Sequence, residues 1–216
     1  MIPPFYGTKV VTDIKLDDIY PLIDTHALFT GRWQFRRTKA SEEAYQEILK
    51  QKAWPAFEEW KKRCKDEKIL ESKVAYGYFD WKVSKMVRWQ DGKIAGQQII
   101  PLQLVTVGSK VAEKCAWLFA SHKYTDYLFL HGLAVETTEA LAEYWHRKIL
   151  RELNIPFNAG KPLPVGARIS PGYPAWPNLA DQKELCRLLG SERIGVKVSD
   201  TYQLDPEYST SAMIVL

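Results

Sequence analysis

The sequence predicts an α+β fold, in which helices pack against an antiparallel β-sheet. Two observations carry this. Apolar residues at Tyr45, Ile48, Leu49, Phe57, Trp60 and Cys64 recur at helical spacing, and a second long helix is predicted from Thr125 or Asp126 to about Leu153. Between them, from Lys73 to Val107, the pattern changes to short aromatic and β-branched runs broken by turn residues. The chain has 216 residues, 46% of them hydrophobic and 26% charged. That is enough to bury a substantial core, and the composition is neither disordered nor fibrous.

Taken in order, Met1–Gly7 reads as extended and Lys9–Val11 as a short strand. Leu16–Ile23 reads as a short helix with Asp17 and Asp18 in its first turn, where the helix dipole favours acids. Pro21 and Asp24 end it. Ser41 is an N-cap followed by Glu42 and Glu43, and Pro55 predicts a kink or two consecutive helices. Val74–Phe79, Val83–Trp89, Ile94–Ile100 and Leu102–Val107 are predicted as a sheet of about four strands, with Asp91-Gly92 as a hairpin turn. Gly108-Ser109 opens a helix carrying Val111, Ala112, Cys115, Leu118 and Phe119 on one face. Asn154–Val165 is a loop. Asn178 caps a helix that runs to Leu189 and stops at Gly190. Ile194–Ser199 and Thr210–Leu216 read as strands around a loop at Pro206.

The stretch Arg168–Pro177 stands apart, with three prolines, one glycine, two aromatics and an arginine in ten residues. Proline fixes φ and lacks an N–H, and each residue before a proline is pushed toward extended geometry. The segment is therefore a stiff loop that presents Arg168 and Tyr173. Gly172 leaves room for a ligand or a second backbone to approach. Read from the residues alone, a rigid connector whose aromatics pack in the core explains this stretch equally well.

Arg168-Ile169-Ser170-Pro171-Gly172-Tyr173-Pro174, with the helix that follows, resembles the signature of the activation domain of cobalamin-dependent methionine synthase. Pro4–Val10 with Ile23-Asp24 and Ala27–Phe29, Tyr124–His146, Ile194–Val198 and Ser209–Ala212 resemble further parts of the same family. The resemblance implies a twisted antiparallel β-sheet with packed helices, formed as one activation-type domain over residues 1–216. It implies S-adenosylmethionine as ligand, held by Asp24, Glu139, Arg168, Ser170, Gly172 and Tyr173. Of these, Arg168 suits the methionine carboxylate, Asp24 and Glu139 the ammonium or sulfonium, and Tyr173 the adenine or the cationic end. Without the resemblance, Asp24 reads as a turn residue, and Glu139 with Glu143, spaced i, i+4, as a solvated acidic face. Two family features are not found in this sequence: a Leu-Ala-Asp-Phe segment before the strand Leu102–Val107, and tyrosines beyond the position of Leu216.

The implied activity is reactivation of a methyltransferase by reductive methylation of cob(II)alamin, in methionine biosynthesis. Cobalamin comes from the cobalamin-binding module of methionine synthase or another corrinoid protein, and the electron from a flavodoxin-type donor. A second reading is a docking module that no longer binds S-adenosylmethionine. The sequence itself offers no cobalt-ligating D-x-H-x-x-G pattern, no catalytic triad and no P-loop. The four His show no metal-ligand spacing, so no metal site is expected. Basic and acidic residues alternate under a net charge of +4, so nucleic acid is not an expected partner. Three separated cysteines form no C-x-x-C pair, which points to reduced thiols in a cytoplasmic protein. No run is apolar and long enough to span a bilayer, so no membrane partner is expected.

Overall fold

The computed structural model describes residues 2–38, 41–80, 99–157 and 165–216. Strand β1 (Gly7–Val11) leads to helix α1 (Leu16–Ile19), which tightens into a 3-10 turn (Tyr20–Leu22) and is followed by a π-helical turn (Ala27–Arg32). Helices α2 (Glu42–Ile48) and α3 (Trp54–Asp66) flank a second π-helical turn (Leu49–Ala53). Then come β2 (Lys73–Asp80), β3 (Ile99–Thr106), α4 (Lys110–Ala120) and α5 (Tyr124–Glu152). The chain closes with β4 (Arg168–Ile169), α6 (Asp181–Leu189), β5 (Lys197–Val198), β6 (Leu204–Asp205) and β7 (Ser209–Ile214). The main sheet has the order β1-β2-β3-β7-β4, and every neighbouring pair is antiparallel. Strands β5 and β6 make a separate ribbon. This is the mixed helix and antiparallel-sheet class that the sequence predicts.

Several local expectations hold for the reasons given. Ser41 Oγ accepts from Ala44 N at 3.3 Å and caps α2. Pro55 sits in the first turn of α3, where its missing N–H costs nothing, and the π-helical turn before it absorbs the break. Gly190, at φ 60°, ends α6 in the left-handed region. Asn178 acts slightly upstream of α6: its Oδ1 accepts from Ala180 N, and its Nδ2 donates to Asp181.

The strand reading needs correction. Leu102–Val107 and the end of Ile94–Ile100 form one strand, β3, which passes through Pro101. Pro101 lies opposite Tyr78 of β2, while pairing with β7 begins only at Leu102. Among the described residues β3 has one paired neighbour at Pro101, an edge-like position where proline is tolerated. Of Ile194–Ser199, Ile194 closes a 3-10 turn and only Lys197–Val198 is strand. Val83–Trp89, the Asp91-Gly92 turn and residues 94–98 lie outside the described residues, as do residues 158–164 of the Asn154–Val165 loop.

The sheet is covered on both faces. In β2, Val74, Tyr76 and Tyr78 join the core under α3, α4 and α5, while Ala75 and Phe79 join the core under α6. This alternation of period 2 is the signature of a strand with two buried faces. Helix α5 spans 29 residues and buries, among others, Leu133, Ala134, Leu141, Trp145 and Ile149. Gln103 Nε2 of β3 donates to the Ala142 carbonyl of α5 at 3.0 Å. Near the end of α5, Tyr76 and Tyr78 both donate to Glu152.

His146, also on α5, is buried, with Nε2 2.7 Å from the Gly166 carbonyl. A carbonyl only accepts, so Nε2 carries a proton. Its Nδ1 faces Glu143 Oε2 at 3.4 Å, and Arg147 Nε donates to Glu143 Oε1 at 2.8 Å. His146 thus ties α5 to the backbone that enters β4.

Two outcomes follow from this packing. A Cβ at position 77 would lie 2.1 Å from the Gly7 carbonyl oxygen, so Gly77→Ala forces β1 away from β2. Overpacking costs about 1–3 kcal/mol, and we expect the thermal midpoint to fall by roughly 2–12 °C; an unchanged midpoint would show that β1 is not held as described. The hydrogen bond from His146, then that from Arg147, draw the Glu143 carboxyl from 4.5 down to about 2 against the opposing effect of burial. A depressed carboxyl stabilises the fold above its unfolded value and loses that contribution as pH falls toward the folded value. Urea titrations of Glu143→Gln should show a loss of about 1.5–3 kcal/mol at neutral pH. The gap to the parent chain should close as pH drops from 4.5 toward about 2; a constant gap would contradict the ion pairing.

Candidate functional site

Strand β4 is two residues long, and this sets the geometry of the site. It pairs Arg168 with Ile214 and Ile169 with Met213. Alternation sends Ile169 into the core under α6, with Met213. Arg168 therefore lies on the opposite face, the one that carries α5. There its Nη2 donates to Glu139 Oε2 of α5 at 3.0 Å. Because β4 ends so early, Ser209–Ala212 of β7 pair with β3 on one side and, among the described residues, with no strand on the other.

The chain turns sharply after β4. Gly172 N donates to the Trp176 carbonyl, and Trp176 N donates to the Tyr173 carbonyl, both at 2.8 Å. Gly172 has φ 86°, a region that favours glycine, and a Cβ there would also press Leu179 at 3.1 Å. The glycine therefore serves the turn and its packing. Trp176 is buried, with Nε1 donating to Asp181 Oδ2 at 2.7 Å. The two aromatics of the stretch thus divide the work. Trp176 roots the loop on α6, and Tyr173 stands 66% exposed above it. Of the two aromatics, only Tyr173 is therefore part of the exposed surface.

Two hollows meet at Tyr173. The first has a volume of about 510 Å³ and is lined by Glu139, Arg168, Ile169, Ser170, Tyr173, Pro174, Ala175 and Thr210. The second, of about 630 Å³, runs toward α6 and includes Ser170, Gly172, Tyr173, Gln182, Gln203, Glu207 and Thr210. Each is of the size that takes a small organic ligand. Of the residues singled out in the sequence, Glu139, Arg168, Ser170 and Tyr173 share the first hollow, and Gly172 lines the second. Asp24 lines neither. Its Oδ1 accepts from Ala27 N at 2.9 Å and caps the π-helical turn, which is the turn role its residue type suggests. Thr210, also in the first hollow, belongs to Ser209-Thr210-Ser211, an unusual run of hydroxyls for a strand.

The first hollow offers a cation and an anion side by side. The Arg168 and Glu139 side chains are 24% and 50% exposed. An ion pair this open contributes about 0–1 kcal/mol, so it exchanges readily. A ligand carboxylate can take the guanidinium in bidentate fashion, leaving Glu139 to meet a positive group. Ser170 and Thr210 add neutral hydrogen-bonding groups, and Tyr173 adds an aromatic face. Among the described residues no cluster of three His, Cys, Asp or Glu could hold a metal, and no helix is long and apolar enough to cross a membrane. Cys64, Cys115 and Cys186 are buried free thiols, and burial raises the pKa of each.

Residues 83–216 match the family described as vitamin B12 dependent methionine synthase, activation domain. Methionine synthases of Mycobacterium tuberculosis and Mycobacterium leprae are 33% and 32% identical, over alignments of 266 and 265 residues that cover 99% of this chain. The chain spans 22% of the length of each. A crystal structure of the MetH reactivation domain bound to AdoHcy shares the fold, with a TM-score of 0.74 at 18% identity, over 99% of this chain and 80% of that one. The family match covers more than half of the sequence, and the chain belongs to the activation-domain family of vitamin B12 dependent methionine synthases.

Proposed function

We propose that this chain binds S-adenosylmethionine in the hollow between α5 and the Arg168–Pro177 turn, and presents its methyl group to a corrinoid module. The observation that carries the reading is the convergence of Glu139, Arg168, Ser170 and Tyr173, from two distant segments, on one open hollow. The AdoHcy carried by the structurally similar domain supports it, since AdoHcy is the product left when S-adenosylmethionine gives up its methyl.

The residues suit the ligand. Arg168 takes the amino-acid carboxylate, Glu139 is placed for the ammonium or the sulfonium, and Tyr173 covers the ligand from the open side. When bound, S-adenosylmethionine supplies a methyl already activated on sulfur, for a reduced corrinoid cobalt to accept. No side chain in the hollow needs to abstract a proton. The work of this chain is positioning, which alone can lower a barrier by several kcal/mol. Cobalamin on a partner module of methionine synthase and an electron from a flavodoxin-type donor complete the reductive methylation.

Calorimetric titration tests the binding step. The parent chain should take up one S-adenosylmethionine. Arg168→Ala should bind roughly ten- to 150-fold more weakly, with a thermal midpoint close to the parent. An early-melting variant with unchanged affinity would make Arg168 structural. No uptake by the parent would favour the docking-module reading. The full reaction is read optically, as conversion of cob(II)alamin on a corrinoid module to methylcobalamin. Conversion should require this chain, S-adenosylmethionine and reduced flavodoxin together. Equal conversion without this chain would reject the reactivation role.

A further inference from the structure

A third hollow, of about 440 Å³, lies between the last turns of α5 and the turn Tyr20–Leu22. Among the described residues it shares no lining with the other two. Leu22, Leu150 and Ile155 give it apolar walls. After α5 the chain folds back, with Ile155 N donating to the Leu150 carbonyl at 2.9 Å. Phe157 then lies beside Arg147, whose guanidinium carbon is 4.7 Å from the ring centroid. The ring is nonetheless 45% exposed, an apolar group left on the rim. Arg147 and Arg151 also line the hollow. Their i, i+4 spacing puts two cations on one face of α5, where they repel unless an anion meets them. Arg147 is engaged through Nε, by Glu143, and Arg151 through Nε, by the Arg147 carbonyl. The Nη groups of both make no hydrogen bond to a described residue. Asp18 is the one acid among the described lining residues, and it pairs with neither arginine.

Apolar walls with a few convergent polar groups are the usual make-up of a small-molecule site. Here they select an anion with an apolar body. A small hydrated anion has nothing to bury against the walls, and a neutral apolar molecule leaves the guanidiniums unmet. Asp18 and the carbonyl end of the α5 dipole both oppose negative charge. A dianion is therefore opposed twice over, while a single carboxylate is met by two forked donors. We infer that this hollow is a second ligand site, for a small carboxylic acid with an aromatic or branched apolar body. The carboxylate sits on the free Nη groups of Arg147 and Arg151, and the body lies against Phe157, Leu22 and Leu150. The Arg147–Glu143 pair survives, because it uses Nε. None of these residues takes part in the proposed binding of S-adenosylmethionine, so the inference stands apart from that reading.

The test is a titration of the chain, ¹³C-labelled at Leu and Ile methyl groups, with 3-phenylpropanoate up to millimolar concentration, followed by NMR. We expect saturable shifts at the methyls of Leu22, Leu150 and Ile155. 3-Phenylpropanamide, which keeps the shape and loses the charge, should bind roughly two- to tenfold more weakly. Acetate should leave these methyls unshifted, and phenyl phosphate should bind no more tightly than the carboxylate. Arg151→Gln, at an exposed position, should weaken 3-phenylpropanoate roughly two- to fivefold, with the affinity for the amide and the thermal midpoint unchanged. Phe157→Ala should weaken acid and amide alike. Equal binding of acid and amide, or an Arg151→Gln variant that binds as the parent does, would overturn the role of the arginines. Tighter binding of phenyl phosphate would overturn the choice of a carboxylate. Shifts confined to Ile169, beside Arg168, would place the acid in the first hollow and overturn the site, as would the absence of any saturable shift. None of these readouts depends on whether S-adenosylmethionine binds, so failure of the proposed function is a separate result.

Discussion

Helix α5 lies across strands β3 and β7, and its seating fixes the site. Dry packing of Leu133, Ala134, Leu141 and Trp145 holds it from below. Gly132 lets Trp33 approach closely, since a Cβ there would fall 2.8 Å from the indole ring. Thr137 and Thr138 turn their hydroxyls back onto carbonyls of the preceding turn, at 2.7 and 2.8 Å, so both hydroxyls are satisfied within the contact. Hydrogen bonds from Gln103, Tyr76 and Tyr78 then set its position along the axis. With the helix held this way, Glu139 Oε2 meets Arg168 Nη2 at 3.0 Å.

Rigidity on the other side of the hollow has a different origin. Strand β4 is too short to hold its own loop, so the loop is fixed by proline geometry, by the paired backbone bonds between Gly172, Tyr173 and Trp176, and by the indole anchored on Asp181. The result is an exposed tyrosine on a stiff support. A ligand then pays little to order the site. The Glu139–Arg168 pair bridges these two supports, and its exposure keeps it exchangeable. Opposite charges held in register but weakly bound suit a ligand that itself carries both signs.

The parts of this arrangement that depend on neighbours in sequence could be read in advance. The extent of α5, the Ser41 cap, the Pro55 break and the Gly190 stop each follow from a few adjacent residues. So does the presentation of Arg168 and Tyr173 by a proline-rich stretch. The parts that depend on distant partners could not. Nothing local shows that β7 inserts between β3 and β4, and without that order neither the passage of β3 through Pro101 nor the place of Thr210 in the hollow is visible. Composition marks Tyr173 and Trp176 alike, and only the position of α6 decides that Trp176 is the root. Asp24 shows the opposite case. Family resemblance points to a ligand contact, while the structure displays the capping bond that its residue type suggests.

The hollow framed by Glu139, Arg168 and Tyr173 is the proposed seat of the methyl donor. A crystal structure of this chain grown with S-adenosylhomocysteine measures it directly. The expected result is the ligand carboxylate on the Arg168 guanidinium, with Glu139 released from Arg168 and turned toward the ligand ammonium. A ligand bound elsewhere, with the Glu139–Arg168 pair undisturbed, would contradict it.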